Sequence, residues 1–164
     1  MGKKHAEVVD MVKAYLLGKG HKELSPAAWI RGPVVVDILT RSDPPGYSHP
    51  MLTVIEVKVS GEKRGDHQRA LYQLLVAKER LAVPRKYMRA SFHVAISDQL
   101  YKELEKFEEL EDFLKVMSGL VEGTGIDIDG TVKREQPTFG IGVLLVDESS
   151  GEVKPIRNAG AYMT

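Results

Sequence analysis

Val34-Val35-Val36-Asp37-Ile38-Leu39-Thr40 and Leu52-Thr53-Val54-Ile55-Glu56-Val57-Lys58-Val59-Ser60 decide the fold of this chain. Both runs are rich in β-branched residues, too short for helices, and separated by Asp43-Pro44-Pro45-Gly46 and a loop ending near Pro50, so both read as strands. The first carries one acid, Asp37, in otherwise apolar surroundings. A buried carboxylate there is costly unless a cation or strong hydrogen bonds compensate it. The second run alternates, so that Thr53, Ile55, Val57 and Val59 share one face while Glu56 and Lys58 share the other. At a rise of about 3.3 Å per residue, Glu56 and Lys58 lie about 7 Å apart along the strand. If the two strands are neighbours in register, Asp37 falls beside Glu56. Two converging carboxylates suit Mg²⁺ or Mn²⁺, with water and phosphate oxygens completing the shell. The lysine can orient or help deprotonate an attacking water and offset charge on a five-coordinate phosphate. Together these residues suit phosphodiester hydrolysis.

Outward from this pair, the chain alternates helices and strands. Residues 5–17 place Val8, Val12, Tyr15 and Leu16 at helical spacing, with Gly18 and Gly20 where a helix would stop. A short extended piece is expected over 24–30. Beyond the triad strand, Asp66 can cap a helix over about 67–82, with Leu71, Leu74, Leu75, Leu81 and the Lys78 stem facing the core and Pro84 ending it. Ser91 to Ile96 reads as a strand. Ser97 can cap a helix to about Leu120, with Leu100, Leu104, Phe107, Leu110, Leu114 and Met117 inward. Phe139 to Val146 and Glu152 to Arg157 form a closing hairpin around Ser149-Ser150-Gly151. The expectation is one α/β domain over residues 1–164, a central mixed β-sheet flanked by helices in the order α-β-β-β-α-β-α-β-β.

Length and composition agree with one such domain: 164 residues, 43% hydrophobic and 28% charged. The absence of cysteine excludes disulfides, thiolate metal sites and a thiol nucleophile. Glu7, Asp10 and Lys13 interrupt the first apolar stretch, unlike a signal-peptide core, so a cytoplasmic location without a membrane span is expected. Net charge is zero but unevenly spread. Residues 58–89 carry nine Lys/Arg against three Asp/Glu, net +6, and residues 98–129 carry three against ten, net −7. Only the basic stretch could face a polyanion; the acidic helix reads as a solvated face.

Gly32-Pro33-Val34-Val35-Val36-Asp37, an 18-residue gap and Glu56-Val57-Lys58 resemble the PD-(D/E)xK motif of restriction-endonuclease-like nucleases, with Val36 where the motif has proline. The order helix, three strands, helix, strand over roughly residues 5–97 is similar to that family's core. The resemblance implies Asp37 and Glu56 as ligands of Mg²⁺ or Mn²⁺, the Val57 carbonyl as a further ligand and Lys58 as the catalytic lysine. Gln68 and Tyr72, four apart and so on one helix face, look like the QxxxY motif of the RecB-like branch, whose residues help position metal and nucleic acid. Lys63, Arg64, His67 and Arg69 are candidate phosphate contacts, weakening with salt. Glu7 lies where many members place an additional metal-site acid, and His21 is a further ligand candidate. His5, His49, His67 and His93 lack ligand spacing. Gly140-Ile141-Gly142 opens no helix after a strand and is not a dinucleotide motif.

The leading expectation is a Mg²⁺- or Mn²⁺-dependent nuclease that leaves 5′-phosphate ends, acting on DNA in structure-directed repair or processing. Two alternatives stand beside it: a non-enzymatic nucleic-acid-binding accessory subunit of the same fold, and a dimeric Holliday-junction-resolving enzyme. The partners implied are nucleic acid and either a second copy or another protein.

Overall fold

The computed structural model describes residues 5–33, 36–43, 45–46, 50–61, 69–81, 89–117, 124–126, 132–133, 141–157 and 159–163. Helix α1 (His5–Gly18) is followed by strand β1 (Lys22–Leu24), a short helix α2 (Pro26–Trp29), and strands β2 (Ile38–Ser42) and β3 (Met51–Lys58). Then come α3 (Arg69–Arg80), β4 (Arg89–Ser97), α4 (Asp98–Lys106), α5 (Leu110–Val116), β5 (Thr124–Ile126), β6 (Val132–Lys133), β7 (Gly142–Val146), β8 (Val153–Arg157) and β9 (Ala159–Met163). The class is the expected one, a mixed sheet flanked by helices.

β1, β2 and β3 form an antiparallel meander, and β3 then pairs parallel with β4 along its full length. The far edge of β4 is shared. Its first residues pair antiparallel with β9 and its last residues pair parallel with β7, which continues into the β7–β8 hairpin. All eight residues of β3 are buried, as expected of a strand covered on both faces. On one face Val8, Val12 and Leu16 of α1 meet Ile38, Ile55, Val57, Ala95, Leu144 and Val146. On the other, Ala70, Leu74 and Ala77 of α3 and Leu100, Leu104, Phe113 and Met117 of α4–α5 meet Leu39, Leu52, Val54, Phe92, Val94 and Ile96. Because β3 and β4 run parallel, α3 returns the chain antiparallel to them. Its first turn therefore lies at the end of the sheet where β3 finishes with Glu56 and Lys58.

Several boundaries differ from the sequence expectation. The extended piece expected over 24–30 is β1 followed by α2, because Pro26 presets a helical φ at the first position and Ala27 and Ala28 favour helix. The Asp37 strand begins only at Ile38; residues 34 and 35 lie outside the described residues. The helix expected from Ser97 to Leu120 begins as expected, Ser97 Oγ accepting from the Leu100 amide at 3.2 Å. It then breaks after Lys106. There Glu108 adopts φ 59°, and the amides of Glu108 and Glu109 close onto the carbonyls of Glu105 and Leu104. This is the helix-ending arrangement usually built on glycine. The break resets the helical frame, so Phe107 is 59% exposed and Phe113 takes the core place expected for it. On α3, Ala70 and Ala77 join Leu74 inside, while Leu75 is exposed. The Asp66 cap and Pro84 lie outside the described residues.

Candidate active site

The register Ile38↔Ile55, carried on by one residue, sets Asp37 opposite Glu56. The Asp37 amide donates to the Ile55 carbonyl at 3.2 Å, and Asp37 Oδ2 accepts from the Val57 amide at 2.8 Å. The acid that precedes β2 is thus held by the backbone of β3. Lys58 Nζ lies 3.5 Å from Glu56 Oε1. Asp37, Glu56 and Lys58 therefore gather on one face of one strand end.

Glu56 is only 3% exposed, and among the described residues its Oε2 has no hydrogen-bond partner. Burial pushes its carboxyl up to about 9; the neighbouring Asp37 adds to the rise, and Lys58 opposes it. Without a cation, Glu56 is therefore protonated at neutral pH. An unsatisfied buried carboxyl oxygen costs on the order of 1–3 kcal/mol, a penalty that a bound cation would remove.

The imidazole of His5, at the first turn of α1, completes the cluster. Its Nε2 is 3.1 Å from Asp37 Oδ2 and 3.1 Å from the Val57 carbonyl oxygen. Both partners accept, so Nε2 carries the proton. Ligand atoms of His5, Asp37 and Glu56 all lie within 4.8 Å of one another. The Val57 carbonyl, expected as a ligand, opens onto the same point. Oxygen and imidazole donors of this kind suit a divalent cation such as Mn²⁺.

His5 was passed over in the sequence, although the signal was there. Residues 5, 8 and 12 follow helical spacing, so His5 shares the face of Val8 and Val12, whereas Glu7 is turned roughly 100° away from Val8. Glu7 is accordingly exposed, and it is His5 rather than Glu7 that joins the cluster. His21 does not join it either; it is buried, with Nδ1 2.7 Å from Thr40 Oγ1. His93 is fully buried in β4, and burial, helped by His21, lowers its ring to about 3, so it is a neutral core residue.

Tyr72 is 70% exposed on α3, and Arg69, three residues before it, is exposed in the first turn. Gln68, Lys63, Arg64 and His67 lie outside the described residues. No described helix is long and apolar enough to cross a membrane.

Fold and site together define an α/β domain with a carboxylate–lysine–histidine cluster at the end of its central strands. Solved structures share that fold. An XisH family protein from Nostoc punctiforme PCC 73102 superposes with a TM-score of 0.55 at 13% identity, over 94% of this chain and 99% of that one. An fdxN element excision controlling factor protein from Anabaena variabilis also gives 0.55 at 13% identity, over 93% of this chain and 99% of that one. No family model and no curated protein matches the sequence.

Proposed function

We propose that this protein is a Mg²⁺- or Mn²⁺-dependent nuclease of the PD-(D/E)xK type, hydrolysing phosphodiester bonds in DNA during structure-directed repair or processing. The observation that carries the reading is Glu56: a buried carboxyl with an unsatisfied oxygen, held beside Asp37, Lys58 and His5 where strands β2 and β3 meet. A protein has little reason to retain that cost unless a ligand repays it. The resemblance of Asp37, Glu56 and Lys58 to the nuclease motif supports the same reading. The name of one structural relative, an fdxN element excision controlling factor protein, supports a reading in DNA processing.

Glu56 Oε2, an Asp37 oxygen and the Val57 carbonyl would hold the cation, joined by His5 Nε2 once its proton has moved to Nδ1. Once bound, a divalent ion polarises phosphate oxygens and lowers the pKa of water. The remaining work falls to the chain. The Val57 amide fixes the rotamer of Asp37. Lys58, braced by Glu56, presents an ammonium to an attacking water or to a non-bridging oxygen as its charge builds. The exposed Arg69 and Tyr72, at the same end of the sheet, offer a cation and an aromatic face to the nucleic-acid strand.

The test is cleavage of single-stranded, duplex and branched DNA with Mg²⁺ or Mn²⁺. Wild type should cut only with metal, and Asp37→Ala and Lys58→Ala should lose at least about 10²-fold in rate while remaining folded. Binding without cleavage on every substrate would instead support the accessory-subunit reading, which the relative's name as a controlling factor favours. A dimer with a preference for four-way junctions would point to the resolvase.

A further inference from the structure

His21 and Thr40 lie away from the cluster around Glu56, yet the same helix connects them to it. α1 ends in a glycine cap: Gly20 adopts φ 87°, its amide donates to the Leu17 carbonyl at 3.0 Å, and the His21 amide donates to the Leu16 carbonyl at 3.0 Å. In this capping arrangement the residue after the glycine is tied back to the last helical turn. His21 therefore moves with α1 as part of one rigid body. Its ring reaches across to Thr40 in the middle of β2, with Nδ1 2.7 Å from Oγ1 and both side chains buried. At the other end of α1, about 21 Å away at 1.5 Å per residue, His5 meets Asp37 and the Val57 carbonyl.

Between these ends Val8, Val12 and Leu16 of α1 are buried on the sheet, with Val9, Met11 and Tyr15 packed beside them. Apolar contacts of this kind decide which face of a helix turns inward, but they are non-directional and only weakly resist sliding along the helix axis. Directional contacts set the axial position: besides the two histidine bonds, β1, which starts at Lys22, is laddered to β2 with Glu23 opposite Thr40, and Lys13 Nζ lies 2.9 Å from Glu23 Oε1. Metal ligands must be held to within roughly 0.5 Å, so the bond remote from the site bears on the ligand near it.

We propose that the His21–Thr40 hydrogen bond is a positioning device that fixes α1 along its axis and so seats His5 against Asp37 and Val57. His21 is a positioning residue, acting on the cluster through the helix rather than by touching metal or substrate. The consequence for metal affinity rests on the metal-site reading above; the consequence for the placement of His5 does not.

The test pairs Thr40→Val, which removes the hydroxyl at nearly constant shape, with Thr40→Ser, which retains it, each also in a His5→Ala background. Two quantities are read: Mn²⁺ affinity by calorimetry, and the ¹H–¹⁵N signals of the His5 ring in metal-free protein. Thr40→Val should move the His5 signals and weaken Mn²⁺ binding on the order of tenfold, the low end for residues that support ligands from outside the metal shell. Thr40→Ser should restore both. In the His5→Ala background Thr40→Val should have no further effect on Mn²⁺. If Thr40→Val lowers only the melting temperature, or weakens Mn²⁺ equally with and without His5, the positioning role is overturned. If wild type binds no Mn²⁺ but Thr40→Val still displaces the His5 signals, the positioning role stands and the metal-site reading falls.

Discussion

The buried environment of Glu56 has a measurable consequence for stability. In the folded, metal-free protein its carboxyl is raised to about 9 from 4.5, mainly by burial. The unfolded chain loses that proton above about pH 4.5, while the folded chain retains it. The contribution of Glu56 to stability is therefore fullest below 4.5 and falls as pH rises toward 9. Glu56→Gln removes this term. In chelator-treated protein it should be more stable than wild type at pH 8, and urea melts across the pH range should show the advantage shrinking toward pH 4.5. Asp37, Glu56 and Lys58 were legible because each breaks the pattern of its strand. His5 was legible in principle through its spacing to Val8 and Val12, but its partners, an acid 32 residues away and a backbone carbonyl, leave no trace in local sequence.

Among the elements, the meander β1–β2–β3 and the β3–α3–β4 crossover follow from β-branched runs, turn residues and the 3.6-residue stripe of α3. What could not be read was the α4–α5 break, because no glycine or proline marks it. Glu108 adopts the left-handed conformation at φ 59°, a state costing about 1–2 kcal/mol in a residue with a Cβ. Tertiary packing of Phe113 and Met117 decides the matter instead. Glu108→Gly should relieve the strain and raise the unfolding free energy by roughly 0.5–1 kcal/mol, once the extra entropy of unfolded glycine is set against it. Chemical denaturation compared with wild type measures this directly. The short strands β5, β6 and β9 were missed because three-strand additions built from residues such as Thr124-Gly125-Ile126 carry too little alternation to read.

At the scale of the whole molecule, the central strands β3 and β4 are buried on both faces, and polar groups caught inside tie stability to pH. His93 is held near 3, against 6.5 when exposed, by burial and then by His21. Between those values only the unfolded state takes up the proton, so the contribution of His93 is complete above about pH 6.5 and declines as pH falls toward 3. His93→Gln should flatten that acid limb in thermal melts, whatever its effect on stability at pH 7. The uneven charge of the chain was plain in the sequence, yet much of the basic stretch over 58–89 lies outside the described residues. The site-bearing end of the sheet does present Arg69 and Tyr72 to solvent. The buried Glu56 carboxyl in the cluster at the end of β2 and β3 retains a proton that a bound cation would displace under the proposed metal-site reading. The most direct measurement is calorimetric titration of Mn²⁺ into wild type and Glu56→Gln at pH 7 in buffers of different ionisation enthalpy. Binding by wild type with release of about one proton, reflecting Glu56 ionising as the ion enters, and its loss in Glu56→Gln are the expected results. Equal binding by both proteins, or binding by neither, would contradict a metal site at Glu56.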